Sequence, residues 1–117
     1  VTANQLIQGY IQLIQRAHMS GLRIYGGTLP PFEGAGLDNG AGQFFPYFSG
    51  ENEIKRQTVN QWIRTRGVFD GVIDFDAAIR DPDNVTRIFP AFDSGDHLHP
   101  SDAGYKALAD AIDVALF

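Results

Sequence analysis

The sequence has 117 residues, 44% hydrophobic and 20% charged, with a formal net charge of −5. This is the composition of at most one globular domain; the acidic balance argues against a nucleic-acid partner, and no apolar run approaches the roughly 18 residues of a membrane span. The absence of cysteine excludes a disulfide framework, a thiolate nucleophile and a Cys-ligated zinc, but it does not place the chain in a compartment.

The first segment, VTANQLIQGYIQLIQRAHMSG, predicts an amphipathic helix. Leu6, Ile7, Tyr10, Ile11, Ile14 and Ala17 recur at three- and four-residue spacing and make one apolar stripe. Thr2 followed by Gln5 has the form of a capping box, and Gly21 stands where the helix would end. His18 falls in the last turn, where a cation suits the helix dipole. LRIYGG then predicts a short strand. Residues 28–50, rich in Gly, Pro and Phe, show no periodicity and predict a loop of about 20 residues, a length that usually marks a functional segment. Its aromatics, Phe32, Phe44, Phe45, Tyr47 and Phe48, either line an apolar pocket or form a satellite core beneath the loop.

ENEIKRQTVNQWIRTRG predicts a second helix, with Glu51 and Glu53 in its first turn and Arg64 and Arg66 near its end. Ile54, Val59, Trp62 and Ile63 are expected on its buried face. VFDGVIDF predicts a second strand around Val72 to Phe75, and DAAIRDPDNVTRIFPAF an irregular connection. A last helix is expected from about Ser101, with Tyr105, Leu108, Ala109, Ile112 and Leu116 on one face. Asn84-Val85-Thr86 matches a glycosylation sequon, a match that chance supplies often. The order is α/β, about two parallel strands and three main helices. So small a set leaves a strand edge and apolar sheet faces uncovered, so further strands are expected from another polypeptide or from a second copy of the chain.

The chemistry concentrates in FDSGDHLHPSDAGY, residues 92–105, which holds two of the three histidines. In a tight turn residues i and i+3 approach, so Asp96 can hydrogen-bond His99, fix its tautomer and leave its other nitrogen free as a base. Pro100 stiffens the chain behind His99, and Ser101 is a good N-cap for the helix that follows. A second chemistry is a metal site of His97, His99 and one of Asp93, Asp96 or Asp102, against which stands the lack of any second His-containing motif. A third reading is a solvated helix entrance.

DSGDHLHPSDAGYKALADAI resembles the last block of the SGNH, or GDSL-type, hydrolases, which use an Asp-x-x-His pair. RAHMSGLRIYGGTLPPFEG and RQTVNQWIRTRGVFDGVIDFDAAIRDP extend the resemblance to essentially the whole chain, similar to the C-terminal part of bacterial acylhydrolases and arylesterases. It implies a three-layer α/β/α, flavodoxin-like fold and ester hydrolysis by a serine nucleophile, with His99 as base, Asp96 as its orienter and no cofactor or metal. His97 matches a variable position and inherits no catalytic role.

The family's serine sits in an N-terminal Gly-Asp-Ser block, and its oxyanion donors lie in that block and two later ones, none of which occurs here. Ser20, Ser49, Ser94 and Ser101 are the only serines, and none follows a Gly-Asp turn. Asn39, Asn52 and Asn60 lack the Gly-x-Asn-Asp context. Residues 1–117 are therefore expected to be the C-terminal portion of one hydrolase domain, inactive alone, with an N-terminal segment as its partner. Gly27, Thr28, Leu29, Phe32 and His97 are the candidate substrate-pocket residues, for small acyl esters with acetylated carbohydrate as an instance by analogy. The competing expectation is a non-catalytic half that self-associates.

Overall fold

Thr2 and Gln5 exchange side-chain and backbone hydrogen bonds at 2.9 and 3.1 Å, the reciprocal cap expected of them, and start helix α1 (Ala3–Met19). The computed structural model describes all 117 residues, Val1–Phe117. α1 lays its expected stripe inward, with Ile14 buried. It packs on helix α2 (Gly50–Thr65), where Tyr10 stacks on Trp62 at 6.3 Å and both meet Phe69 edge-on. His18 is spoken for: its Nε2 lies 2.8 Å from Asp70 Oδ2, which also accepts the Ile24 N–H, so the helix end is tied to the entrances of both central strands.

Strands β1 (Tyr25–Gly27) and β4 (Gly71–Ile73) pair in parallel, Gly26 opposite Val72, joined through α2. Between them residues 28–50 depart from the expected structureless loop. They contain an antiparallel hairpin of β2 (Gly36–Asp38) and β3 (Phe44–Pro46), closed by Asn39 and Asp38 side chains bonding the turn amides. Its residues do not alternate cleanly, so period-2 reading had no purchase. Phe32 and Phe48 form an edge-on pair at 5.5 Å, but Phe44, Phe45 and Tyr47 are about half exposed and belong to no satellite core.

Three further departures follow from packing. Val59 and Ile63 are buried on α2 as expected and Trp62 is half-buried, but Ile54 is 69% exposed, and Arg56 and Asn60 complete the buried face. Phe75 does not extend β4 but opens helix α3 (Phe75–Ile79), capped by Asp74, within the stretch expected to be irregular. The last helix, α4 (Asp102–Asp110), is shorter than its apolar pattern, with Tyr105 and Ala109 exposed and Leu116 in a separate 3₁₀ turn.

Asp76, at the start of α3, is fully buried and takes hydrogen bonds from three arginines: Arg56 at 2.6 Å, Arg64 at 2.6 Å and Arg80 at 2.9 Å. Arg64 also clamps Asp74 with two bonds, and Arg56 takes both oxygens of Glu53. The network welds α2 to α3 without leaving a buried polar side-chain atom unpaired. The exterior is less complete. The surface of 7351 Å² exceeds the roughly 6,300 Å² of a self-contained monomer this size. The radius of gyration of 15.7 Å likewise exceeds the expected value of about 13 Å. The parallel pair is two strands wide, so each strand keeps one unpaired edge. The architecture is mixed α/β, consistent with part of an SGNH flavodoxin-like fold.

Candidate active site

The segment from Asp93 to Pro100 is a closed loop. Its two ends pair as an antiparallel bridge, Ser94 N–H donates to the His99 carbonyl at 3.0 Å, and Ser101 N–H to the Phe92 carbonyl at 2.8 Å. α4 locks it from behind. Gly104 approaches so closely that a Cβ there would stand 2.4 Å from the Phe92 carbonyl oxygen and 2.8 Å from Pro100 Cβ. Ser101 caps α4 through Gly104 N–H and donates its own hydroxyl to the Ala91 carbonyl.

Inside this loop Asp96 organises the turn. One oxygen accepts the Leu98 N–H at 2.9 Å, the His99 N–H at 2.7 Å and the Ser94 hydroxyl at 3.0 Å. The other meets His99 Nδ1 at 2.6 Å. The His99 amide, its imidazole and the Leu98 amide hold the Asp96 carboxyl well below the usual range, so it is ionised at neutral pH. An ionised carboxylate only accepts, so Nδ1 carries the proton and Nε2 presents its lone pair. The His99 side chain is 64% exposed, and Nδ1 makes its one side-chain hydrogen bond. The pair can accept a proton from an outside hydroxyl and hold the imidazolium that results.

A second Asp–His pair lies beside the first. His97 Nδ1 meets Asp93 Oδ2 at 2.6 Å, and the other Asp93 oxygen accepts the amides of Gly95 and His97. Burial pushes the Asp93 carboxyl up, but the Gly95 and His97 bonds outweigh it and leave it lowered. Each imidazole thus has its own carboxylate, and nowhere do three His, Asp or Glu side chains converge as a metal site requires.

The pocket candidates divide. Leu29 and Phe32 line an open groove of about 440 Å³, with Leu6, Pro30, Pro31, Val59 and Leu98 completing its apolar wall. Leu98 places this groove next to His99 in the chain. Thr28 is buried rather than on the wall; its hydroxyl donates to Asp74 and accepts the Asp76 N–H. Gly27 lies under the Phe75 ring, and the His97 ring rests against Gly34, outside the groove lining. The loop that carries Leu29 is held by Asn60, whose Oδ1 accepts the Leu29 N–H and whose Nδ2 donates to its carbonyl. Sequence reading missed Arg56, Asn60, Asp74 and Asp76. The signal was present for two of them: positions 56, 59, 60 and 63 have helical spacing once polar residues are admitted to the stripe.

No serine hydroxyl hydrogen-bonds the His99 ring. The Ser94 hydroxyl is bonded to Asp96, Ser49 and Ser101 cap helices, and Ser20 ends α1. Asn39 closes the hairpin turn and Asn52 donates to the Tyr47 carbonyl. No curated protein matches the chain. A family model described as GDSL-like lipase/acylhydrolase matches residues 1–112. With nearly its whole length matched on an α/β frame, the chain belongs to the GDSL-like lipase/acylhydrolase family.

Proposed function

We propose that this chain supplies the base half of a serine ester hydrolase, with His99 as general base, Asp96 as its orienter, and the serine carried on a segment outside these residues. Family membership suggests ester hydrolysis in general. The observation that carries the finer reading is the 2.6 Å contact of Asp96 Oδ2 with His99 Nδ1, which leaves Nε2 free and exposed. In the reaction, a serine hydroxyl attacks the ester carbonyl and His99 Nε2 takes its proton. Collapse of the tetrahedral intermediate expels the alcohol, which His99 protonates; water, deprotonated by the same nitrogen, then attacks the acyl-serine, and the serine leaves with the proton returned from His99 as the acid is released. Asp96 offsets the positive charge on the imidazolium in both steps.

Small acyl esters are the proposed substrates, with acetylated carbohydrate as one case by analogy. Among the pocket candidates, Leu29 and Phe32 support this best, because their groove offers apolar surface one residue from His99. Gly27, Thr28 and His97 do not line that groove. Residues 1–117 would then be the C-terminal portion of a single domain, and an N-terminal hydrolase segment would complete the sheet and bring the oxyanion donors.

The test is turnover of p-nitrophenyl acetate by the purified chain, alone and combined with a polypeptide carrying a Gly-Asp-Ser block. Turnover only in combination, abolished by His99→Ala and reduced about 10³- to 10⁴-fold by Asp96→Asn, is the expected result. Turnover that His99→Ala leaves unchanged would sink the assignment. A second reading, a non-catalytic half that covers its sheet with another copy, is favoured by the excess surface and the unpaired strand edges. It requires concentration-dependent assembly and no turnover in any combination.

A further inference from the structure

His97 is the one residue other than glycine with a left-handed backbone, at φ +62°. A side chain with a Cβ adopts that conformation at a cost in free energy, so something must hold it there. Two interactions do. Asp93 grips both the amide and the imidazole of His97, at 3.0 and 2.6 Å, and the ring lies on Gly34. Gly34 is itself at φ +96°, and a Cβ there would stand 3.0 Å from His97 Cδ2. The loop after β1 is therefore shaped to receive this ring.

The two carboxylates differ in how they are rooted. The Asp93 side chain is 11% exposed and stands in the bridge at the loop's base, whereas that of Asp96 is 51% exposed. All four hydrogen bonds of Asp96 come from Ser94, Leu98 and His99, within its own turn. Nothing outside the loop fixes Asp96 by hydrogen bonding, so its aim at His99 depends on the path of the backbone through residue 97. We infer that the Asp93–His97 pair is a positioning brace: by holding residue 97 left-handed against Gly34, it sets the turn in which Asp96 orients His99. This inference rests on the assignment of His99 as base and Asp96 as orienter. His97 touches no reacting atom and acts only through its neighbours.

The experiment is imidazole ¹H–¹⁵N NMR of the full 117-residue chain, which reads the tautomer of His99 directly. Three variants separate backbone from side chain. His97→Asn tolerates the left-handed region and can place an amide N–H where Nδ1 stood; it is expected to keep the single Nδ1–H pattern of His99. His97→Gly keeps the backbone but loses the brace, and His97→Ala loses both. The pattern is expected to broaden in the first and to be lost in the second, giving the tautomer mixture of a free imidazole. Asp93→Asn, which retains an acceptor for the loop amides but offers none of its charge to the ring, serves where His97→Ala does not fold, and the same loss is expected. An Nδ1–H pattern that survives in folded His97→Ala or Asp93→Asn overturns the brace and leaves the Asp96–His99 reading standing. A wild-type His99 without that pattern overturns the Asp96–His99 reading and the brace with it.

Discussion

Asn60 holds Leu29 as a neighbouring strand would: its carboxamide accepts the Leu29 N–H at 2.7 Å and donates to the Leu29 carbonyl at 2.9 Å. Asn60 is fully buried, and the same carbonyl also accepts from Arg56 Nη1. Asn60→Ala would leave the part-buried Leu29 N–H without its partner, at a cost of about 1–3 kcal/mol. Urea unfolding should show that loss with an unchanged m-value. A loss under 0.5 kcal/mol would mean that water replaces the carboxamide.

The Asp76 network should be strongly asymmetric under mutation. Removing the shared carboxylate with Asp76→Ala leaves the buried Arg56 with Glu53 as its one carboxylate and breaks the bonds of Arg64 and Arg80 as well, and a cost of about 3–5 kcal/mol is expected. Arg80 is 36% exposed and contributes one bond to the same carboxylate. Arg80→Ala should cost under about 1 kcal/mol, as for a solvent-screened pair. Equal losses in the two variants would contradict the burial difference on which this rests.

Acid should destabilise the chain. Two bonds from Arg64 lower the Asp74 carboxyl to about 2, against burial, which raises it. A folded pKa below the unfolded value gives stability that is complete above about pH 5 and is lost as pH falls through the folded pKa near 2. The full linkage for such a displacement is about 2 kcal/mol, and solvent screening at a carboxylate 38% exposed reduces it to about 1 kcal/mol. Glu33, Asp93 and Asp96 are lowered as well and act in the same direction. Asp74→Asn keeps a cap acceptor for Ala77 and removes the charge, so its stability between pH 5 and 2 should fall less steeply than that of the wild type. Parallel curves would refute the assignment.

Two glycine-to-alanine changes inside helices should move stability in opposite directions. Nothing lies within 4 Å of a Cβ at Gly9, so Gly9→Ala should gain about 0.5–1 kcal/mol from helix propensity. At Gly104 the same gain is offset by a Cβ 2.4 Å from a carbonyl oxygen, and overpacking costs about 1–3 kcal/mol. Thermal unfolding should rise in the first variant and fall in the second. A raised Tm in Gly104→Ala would show that α4 can slide away from the loop that carries His99.

What the sequence by itself determined was written in short-range spacing. The Thr2–Gln5 cap, the stripe from Leu6 to Ala17 and the Asp96–His99 turn all connect residues three or four apart, so the chain's local geometry dictates them. Other features were decided only in three dimensions. Asp76 meets Arg56 across 20 positions, and Leu29 meets Asn60 across 31. Neither partner has a local reason to be inside, and burial of Arg56 and Asn60 becomes favourable only once those distant groups arrive. The exchange of Ile54 for Arg56 on the inner face of α2 has the same origin. Likewise, Asp96 and His99 were legible as a pair, but the hold of Asp93 and Gly34 on His97 was not. A left-handed histidine has no signature in a string of residues, and only the packed loop keeps it there.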